Sequence, residues 1–279
     1  MQSIIGYFQG LEHRPLERGA YFVSGIMLLW FFENLSPLVF LKYKKNKTRH
    51  AGVNLGFTFL HFIIHTFLAI FIVMIGNWTS EHGFGIVHWV GAGPLSTILI
   101  TILVLDFFGG WLCHWVEHKV PLFWRFHLIH HADNNVDVTT GLRHHPLESV
   151  WRGLFFFIGL FFAGSPTYAV MIYQTLLVFI TGFTHANISL PKSLDRMLSF
   201  ILVSPNMHKV HHHHEQPYTD SNYGAVLSIW DRLLGTFRKL DPSKLRYGLD
   251  RYYSNEKDED FFALMKKPFE KVGDQHISG

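Results

Sequence analysis

The sequence predicts an all-α fold, a bundle of membrane-embedded helices with a helical cap on the cytoplasmic side. Composition is the first reason: apolar residues make up 48% of the 279 residues and charged residues only 16%, whereas soluble domains usually carry about 25% charge. The second reason is a series of apolar segments of membrane length. The third is a set of histidine clusters at the ends of these segments, in a chain with 20 histidines.

A helix needs about 20 apolar residues to cross a bilayer. The segments 20–41, 53–75 and 93–113 meet this length. Segments 150–163 and 167–184 are shorter, and Gly164-Ser165-Pro166 between them is typical of a tight turn. This pair predicts a helical hairpin that either spans the membrane or re-enters it.

Charge asymmetry predicts the orientation of the bundle. The stretch Lys42–Arg49 holds four lysines and one arginine, whereas residues 76–92 hold no lysine or arginine. Positively charged loops stay in the cytoplasm, so the first loop is expected inside and the second outside. The third segment and the 150–184 hairpin then both end in the cytoplasm. We therefore expect a multi-pass membrane protein whose histidine clusters all meet on the cytoplasmic side.

The histidine clusters have the spacings HxxxH, HxxHH and HxxHH, formed by His114 and His118, by His127, His130 and His131, and by His208, His211 and His212. Residues three or four apart share one face of a helix, and imidazole is the commonest protein ligand for iron, zinc and copper. Surface histidines on amphipathic helices would explain one such cluster, but they explain three poorly. Eight histidines are more ligands than one mononuclear site needs, and they are about the number that two metals need. The cap is therefore predicted to hold a histidine-rich dimetal site.

The ligand types favour iron among these metals. Structural zinc sites usually include cysteine, and Cys113 is the only cysteine of the chain. Ferritin-like di-iron sites use glutamate together with Glu-x-x-His, a pair that the sequence does not contain. Imidazole ligands with open coordination positions suit iron that activates oxygen.

The clusters and the segments between them resemble the fatty acid hydroxylase/sterol desaturase superfamily of integral-membrane di-iron enzymes. The resemblance runs from about Asp106 to Phe237. Besides the clusters it rests on the stretch 135–148 with Arg143-His144-His145-Pro146, on Thr184-His185-Ala186-Asn187, on Thr219–Gly224 and on Trp230–Phe237.

The resemblance implies that the eight cluster histidines bind two iron ions, together with His185 and one of His144 or His145. His145 is preferred, because it precedes Pro146 in an Arg-x-His-Pro pattern. Thr181 stands where some relatives carry a further histidine, so nine or ten ligands are expected. The predicted ligands are His114, His118, His127, His130, His131, His145, His185, His208, His211 and His212, with no separate catalytic acid or base.

Two further residues are expected to support these ligands. Asp106 lies inside the third segment, about 12 Å of helix before His114 at 1.5 Å per residue. An intramembrane carboxylate is by default functional or paired, so Asp106 is expected either to orient a histidine of a neighbouring helix or to pair with His61 or His65. Asn222 and Tyr223 are expected either to brace the third cluster or to form a simple turn. Glu117 points away from the His114/His118 face and is expected either in solvent or behind a ligand.

The predicted function is the O2-dependent hydroxylation or desaturation of a lipid C–H bond in a sterol, fatty acyl or related substrate. Ether-lipid cleavage of the alkylglycerol monooxygenase type is an alternative. A membrane metal transporter or haem electron-transfer protein is an alternative from another class, although such proteins usually carry their histidines within the spans.

The expected partners are the lipid substrate, the bilayer and an external electron donor. The sequence shows no Gly-rich dinucleotide motif and no cysteine cluster, so electrons are expected from a reductase, ferredoxin, cytochrome or reduced pterin. A net charge of +3 does not suggest nucleic acid. The predicted organisation is an N-terminal membrane region (1–92), a catalytic region (93–238) and a polar cytosolic tail (239–279).

Overall fold

The computed structural model describes residues 2–11, 14–43, 46–249 and 259–270. In these ranges the chain is helical and has no β-strands beyond isolated bridges, which confirms the predicted all-α class. The α-helices are α1 (Gln2–Leu11), α2 (Pro15–Leu35), α3 (Lys47–Glu81), α4 (Ile86–Trp89), α5 (Pro94–Leu105), α6 (Cys113–Lys119), α7 (Pro121–His131), α8 (Glu148–Ala163), α9 (Thr167–His185), α10 (Lys192–Ile201), α11 (Pro205–His211), α12 (Ile229–Leu233) and α13 (Phe261–Lys266).

Three stretches of the described chain are long and apolar enough to cross a membrane, namely Lys47–Trp89, Pro94–Lys119 and Thr167–His185. They contain the predicted segments 53–75 and 167–184 and all of 93–113 except its first residue. The predicted segment 20–41 is not among them, because α2 carries charged residues near both ends and the chain leaves the helix before Pro37. Segment 150–163 lies in α8, which has 16 residues and is shorter than a span.

The hairpin predicted around Gly164 is present. Gly164 has a φ of +66°, a conformation that favours glycine, and ends α8. A Cβ atom on Gly85 would lie 2.5 Å from the Cα atom of Gly164, so the turn after α3 packs directly on this hairpin. The hydroxyls of Thr101 and Ser165 are 2.6 Å apart beside it. These contacts close the end of the bundle opposite the histidine clusters.

A π-helical segment, Asp106–Leu112, joins α5 to α6. A π-bulge is often found at functional sites, and here it turns one side of the span toward residues 224–231. Gly110 permits the close approach, because a Cβ atom there would lie 3.0 Å from the Cβ of Ala225 and 3.0 Å from Oδ1 of Asp106. The span therefore continues from Pro94 to Lys119 while exposing a groove for a distant part of the chain.

Asp106 binds that distant segment and not a histidine. Its carboxylate accepts hydrogen bonds from the amides of Val226 and Leu227, both at 2.9 Å, and from Trp230 Nε1 at 3.1 Å. Among the described residues Asp106 has no hydrogen bond to a histidine, so the expected pairing with a polar group is made by these donors and not by His61 or His65. The physical reason is that a buried chain turn leaves amide donors that need an acceptor, and Asp106 supplies it.

The sequence did not indicate how α10 and α12 associate. The amide of Val203 donates to the carbonyl of Val226 at 2.9 Å, and the amide of Ser228 donates to the carbonyl of Ile201 at 2.9 Å. The Ser228 hydroxyl adds a bond of 2.7 Å to the carbonyl of Ser199. These contacts tie the end of α10 to the start of α12 beside Asp106.

Part of the predicted polar tail packs on the bundle. Leu264 in α13 is fully buried and forms a core cluster with Phe57, Leu128 and Ile129. Residues 250–258 and 271–279 of this tail lie outside the described residues. The tail therefore contributes one apolar anchor against α3 and α7.

We predict that Asp106→Leu destabilises the fold. The substitution leaves three buried donors without an acceptor, and each such loss costs about 1–3 kcal/mol. Thermal unfolding of the detergent-solubilised protein can be followed with a thiol-reactive fluorophore, because Cys113 is the only cysteine and is buried. The unfolding temperature should fall by several degrees. Asp241→Leu, at an exposed turn, is the control, and equal shifts in both variants would contradict this role.

Candidate metal centre

The cluster histidines converge from four helix ends. α6 and α7 meet at Val120 and Pro121, which brings the first two clusters together as an antiparallel pair. α9 ends at His185. α11 begins at Pro205, where the Ser204 side chain accepts the amide of Met207 at 3.3 Å as an N-cap. Short helices with defined starts therefore aim the rings at one another.

The first group of histidines is His114, His118, His127, His131 and His211, and their ligand nitrogens all lie within 4.8 Å of one another. The Nε2 atoms of His114 and His127 are 3.1 Å apart. The Nε2 atoms of His118, His131 and His211 are buried and have no hydrogen-bond partner. Buried polar atoms are almost always satisfied, so five converging nitrogens indicate a place for a cation.

The second group is His130, His185, His208 and His212, also within 4.8 Å of one another. Nε2 of His185 lies at its centre. It is 3.1 Å from Nε2 of His130, 2.9 Å from Nε2 of His208 and 3.3 Å from Nε2 of His212. Four imidazole nitrogens therefore face a common point beside the first group.

Burial keeps these rings in the form that binds metals. It lowers the pKa of His127 to about 3. Burial likewise holds the pKa values of His130, His131, His208, His211 and His212 well below their usual range. A neutral imidazole offers a lone pair to a metal, whereas a protonated ring does not. The donor set therefore fits two metal ions, one in each group.

Acceptors of the protein hold the outward-facing Nδ1 atoms of five of the ligands, whereas the Nδ1 atoms of His130, His208 and His212 are buried without a hydrogen-bond partner. This arrangement fixes the tautomer and the orientation of a ligating histidine, and it leaves Nε2 free for the metal. The Nδ1 contacts are His114 to the carbonyl of Tyr223 at 2.9 Å, His211 to the carbonyl of Ser221 at 2.7 Å, His185 to the carbonyl of Thr181 at 2.8 Å and His118 to Asp220 at 3.1 Å.

A buried ionic network supports His127. Its Nδ1 lies 3.0 Å from Oε1 of Glu148. Arg152 bridges two carboxylates, with Nε at 2.8 Å from Glu148 and Nη2 at 2.5 Å from Glu117. Glu117 is fully buried, so the expectation that it faces solvent is wrong. The other expectation for Glu117, a place behind a ligand, fits its Oε2 atom, which lies 3.6 Å from Nδ1 of His127. Spacing alone did not indicate the network, because Arg152 shares a helix with Glu148 but lies 35 positions from Glu117 on another helix.

The structure places His144, and not His145, beside the clusters. The ring of His144 stacks on His130 with centroids 4.3 Å apart, and its Nδ1 lies 2.9 Å from Glu148. His145 belongs to neither group. Its Nδ1 accepts the amide of Leu147 at 3.2 Å and its Nε2 faces the carbonyl of Met265 at 3.3 Å. This geometry does not support the preference for His145, because both of its ring nitrogens already have partners.

Asn222 supports the third cluster indirectly. Its Nδ2 donates to the carbonyls of Met207 and Arg238, both at 2.9 Å. It also has a φ of +54°. Asn222 has no hydrogen bond to a histidine, but the turn it fixes carries the carbonyls of Ser221 and Tyr223. The bracing predicted for Asn222 therefore acts through its two neighbours.

Lys209 is a supporting residue that sequence reasoning missed. It is fully buried, and its Nζ donates to the carbonyl of Val136 at 3.0 Å and to that of His185. Burial lowers its pKa to about 7. A lysine among histidines on a short helix predicts a solvent-exposed side chain. Lys209 instead donates to the carbonyl of His185, the last residue of α9.

Comparison with known proteins supports a family relationship. Residues 98–236 match the fatty acid hydroxylase family. The ornithine lipid hydroxylase OlsE of Rhizobium tropici is 28% identical over 192 residues, covering 68% of this chain and 56% of that protein. Human alkylglycerol monooxygenase is 32% identical over 142 residues, 51% of this chain and 31% of that protein. Human cholesterol 25-hydroxylase is 26% identical over 150 residues, 52% of each chain.

These relatives are longer than the matched regions. The alignments span from about a third to just over half of each relative's length. No solved structure matches the chain significantly. The comparisons therefore define the relationship of the histidine-bearing region, and the three relatives are named for reactions on different lipids.

We predict two metal ions per chain, one in each group of histidines. Protein produced with ample iron and purified in detergent should contain about two metal equivalents by elemental analysis. Replacing His118 and His211 together should leave about one, and replacing His185 and His208 together should also leave about one. His145→Ala, outside both groups, should retain two. Loss of metal from His145→Ala, or full retention in either double variant, would contradict the assignment.

Proposed function

Because this chain belongs to the fatty acid hydroxylase family, we propose that it is a membrane-bound oxidoreductase that uses O2 to hydroxylate a lipid C–H bond. The single observation that carries the proposal is the pair of buried imidazole groups within the region that matches the family. We further propose that both groups hold iron. Nitrogen ligands with no thiolate are compatible with iron that binds oxygen.

When bound, the metals would supply the oxidising power for attack on an unactivated C–H bond. Hydroxylation places one oxygen atom of O2 in the product and reduces the other to water, and this consumes two electrons and two protons. The chain's own residues hold and orient the ligands. His127 is fixed by Glu148, and His118 by Asp220. The buried surroundings exclude bulk water, which protects reactive species from side reactions.

An external protein or cofactor is proposed to deliver the electrons. Two electrons are required for each turnover, and the sequence carries no dinucleotide motif of the Gly-rich type. A reductase, ferredoxin, cytochrome or reduced pterin would meet this need. Its docking site would lie on the side of the bundle where the histidine clusters end.

Ether-lipid cleavage is a second candidate. The observation in its favour is sequence identity: the alkylglycerol monooxygenases of Xenopus tropicalis and human are 33% and 32% identical to this chain over about half of its length. Hydroxylation at the carbon next to the ether oxygen would give a hemiacetal that breaks down to an aldehyde and an alcohol. The product therefore separates the candidates: an aldehyde indicates ether cleavage, and a stable hydroxylated lipid indicates simple hydroxylation.

The haem and transporter alternatives fit the site less well. Within one group, Nε2 atoms approach one another to between 2.9 and 3.3 Å, which leaves no space for a macrocycle between them. A transport pathway would need ligands along the spans. Here the nine histidines of the two groups lie at the ends of helices.

We predict that lipid profiles of cells that express the intact chain contain an oxidised product that His211→Ala cells lack. His211 offers one of the unpartnered Nε2 atoms, so its loss opens the first group. His82→Ala is the matched control, because His82 is exposed at the far end of α3. Product should be normalised to membrane-inserted protein. Equal product from His211→Ala would contradict the proposed site.

We also propose that the clusters face the cytoplasm, on the basis of the positive charge between residues 42 and 49. Thr48 and Glu81 are exposed near the two ends of α3, and the native Cys113 is buried. Cysteines placed at these positions should react with a membrane-impermeant thiol reagent from opposite sides, Thr48→Cys from the cytoplasm. Labelling of both from one side would contradict a spanning α3, and labelling of Thr48→Cys from outside would reverse the orientation.

A further inference from the structure

The association of α10 with α12 produces a unit that lies beside the spans rather than above them. We define the re-entrant unit as residues 192–203 and 226–234, which include both helices. It is joined internally by the Val203–Val226 and Ser228–Ile201 backbone hydrogen bonds. It immediately precedes α11 and follows the 221–224 turn, so its two ends lead into the metal centre.

The depth of this unit follows from its packing partners. Val226 lies in a core cluster with Leu105, Val170 and Tyr173. Leu105 precedes the ligand His114 by nine positions on one span, and Val170 precedes His185 by fifteen on another. At 1.5 Å per residue the second distance is about 22 Å of helix, and the first, which includes the π-helical segment Asp106–Leu112, is at most about 14 Å. The unit therefore reaches well into the membrane-spanning part of the bundle.

Its backbone is satisfied in the way that a membrane interior requires. Non-helical backbone at membrane depth is tolerated only where its polar groups have protein partners. The carboxylate of Asp106 accepts the amides of Val226 and Leu227. Asp231 accepts the amides of Tyr223 and Gly224 at 2.8 and 2.9 Å. Two buried carboxylates thus accept the backbone amides of the non-helical turn 223–227, which lies at this depth.

The outer face of the unit is apolar and has no partner in the described chain. Among the large apolar side chains, the most exposed are Met197 at 66% and Phe200 at 70% on α10 and Leu233 at 69% on α12. The exposed polar residues of α10 are Lys192, Ser193 and Arg196. Contiguous exposed apolar surface marks an interaction site. The other exposed apolar residues of the unit are Leu194, Ile201, Ile229 and Leu234.

Cations border this face. Arg232 lies over the ring of Phe237 at 4.0 Å and over that of Phe200 at 5.5 Å, and its Nη2 donates to the carbonyl of Ser199 at 2.5 Å. Its buried Nε has no hydrogen-bond partner, and no carboxylate of the described residues forms an ion pair with it. Arg238 and Lys239 are exposed nearby. The backbone carbonyl of Arg238 accepts from Asn222, which also donates to the carbonyl of Met207 beside His208, so Arg238 lies near the level of the metal centre.

We propose that the re-entrant unit is inserted into the phospholipid leaflet that adjoins the metal centre, without crossing the bilayer. Its Met197, Phe200 and Leu233 side chains contact acyl chains, and Arg232 and its neighbouring cations bind lipid phosphates. Apolar residues at depth with cations at the headgroup level are typical of interfacial helices. The proposal rests on the membrane setting of the bundle and not on the proposed enzymatic activity.

Nitroxide accessibility in vesicles tests this directly. The full chain, reconstituted in phosphatidylcholine vesicles with a fraction of phosphatidylglycerol, would carry single spin labels at Met197→Cys and Leu233→Cys. Phe67→Cys in the middle of α3 is the lipid reference, and Glu215→Cys on the histidine side is the water reference, at 66% and 65% exposure. The native Cys113 is buried, so we expect it not to react with the spin-label reagent. Collision with O2 and with a polar nickel chelate is measured at each site.

Labels at Met197 and Leu233 should collide more with O2 than with the nickel chelate, as at Phe67. Collision mainly with the nickel chelate, as at Glu215, would place the unit in water and overturn the proposal. Protection from both reagents would also overturn it, because a second copy or another protein would then cover the face. Accessibility is measured without turnover, so an inactive preparation or a different substrate would leave this result unaffected.

Discussion

The rest of the structure depends on one constraint: nine buried imidazoles converge in two groups, and each group has room for one cation between its rings. Within the first group five ligand nitrogens lie within 4.8 Å of one another, and within the second group four do. Several of these nitrogens have no hydrogen-bond partner. Without positive charge between them, these atoms would be buried and unsatisfied, which costs free energy. The arrangement suits metal binding, and we expect bound metal to contribute to folding.

The surrounding elements can be understood as supports for that site. The carbonyls of Ser221 and Tyr223 hold His211 and His114, and this turn is fixed in turn by Asp231 and Asn222. Glu148 and Arg152 hold His127 from the opposite side. His114, His127 and His211 are thus oriented by residues from other parts of the chain, so the site and the helix packing stabilise each other.

Local patterns in the sequence were sufficient for the spans and for the clusters. Apolar length indicated α3, the α5–α6 rod and α9, and the HxxxH and HxxHH spacings indicated which histidines share a face. Contacts between distant residues were not accessible in this way. Asp106 binds Val226, 120 positions away along the chain, and the choice between His144 and His145 depends on Glu148 and Met265, which no spacing rule connects to either. Lys209 illustrates the same limit, since its burial depends on where α9 ends.

X-ray absorption at the iron K edge of iron-loaded protein tests the proposed dimetal centre most directly. This centre predicts a shell of nitrogen and oxygen scatterers with the multiple scattering of several imidazoles per iron, because the two groups offer five and four histidines, and no sulfur despite Cys113. A sulfur contribution, a porphyrin pattern, or only one or two imidazoles per iron would contradict the assignment of these histidines as a dimetal centre.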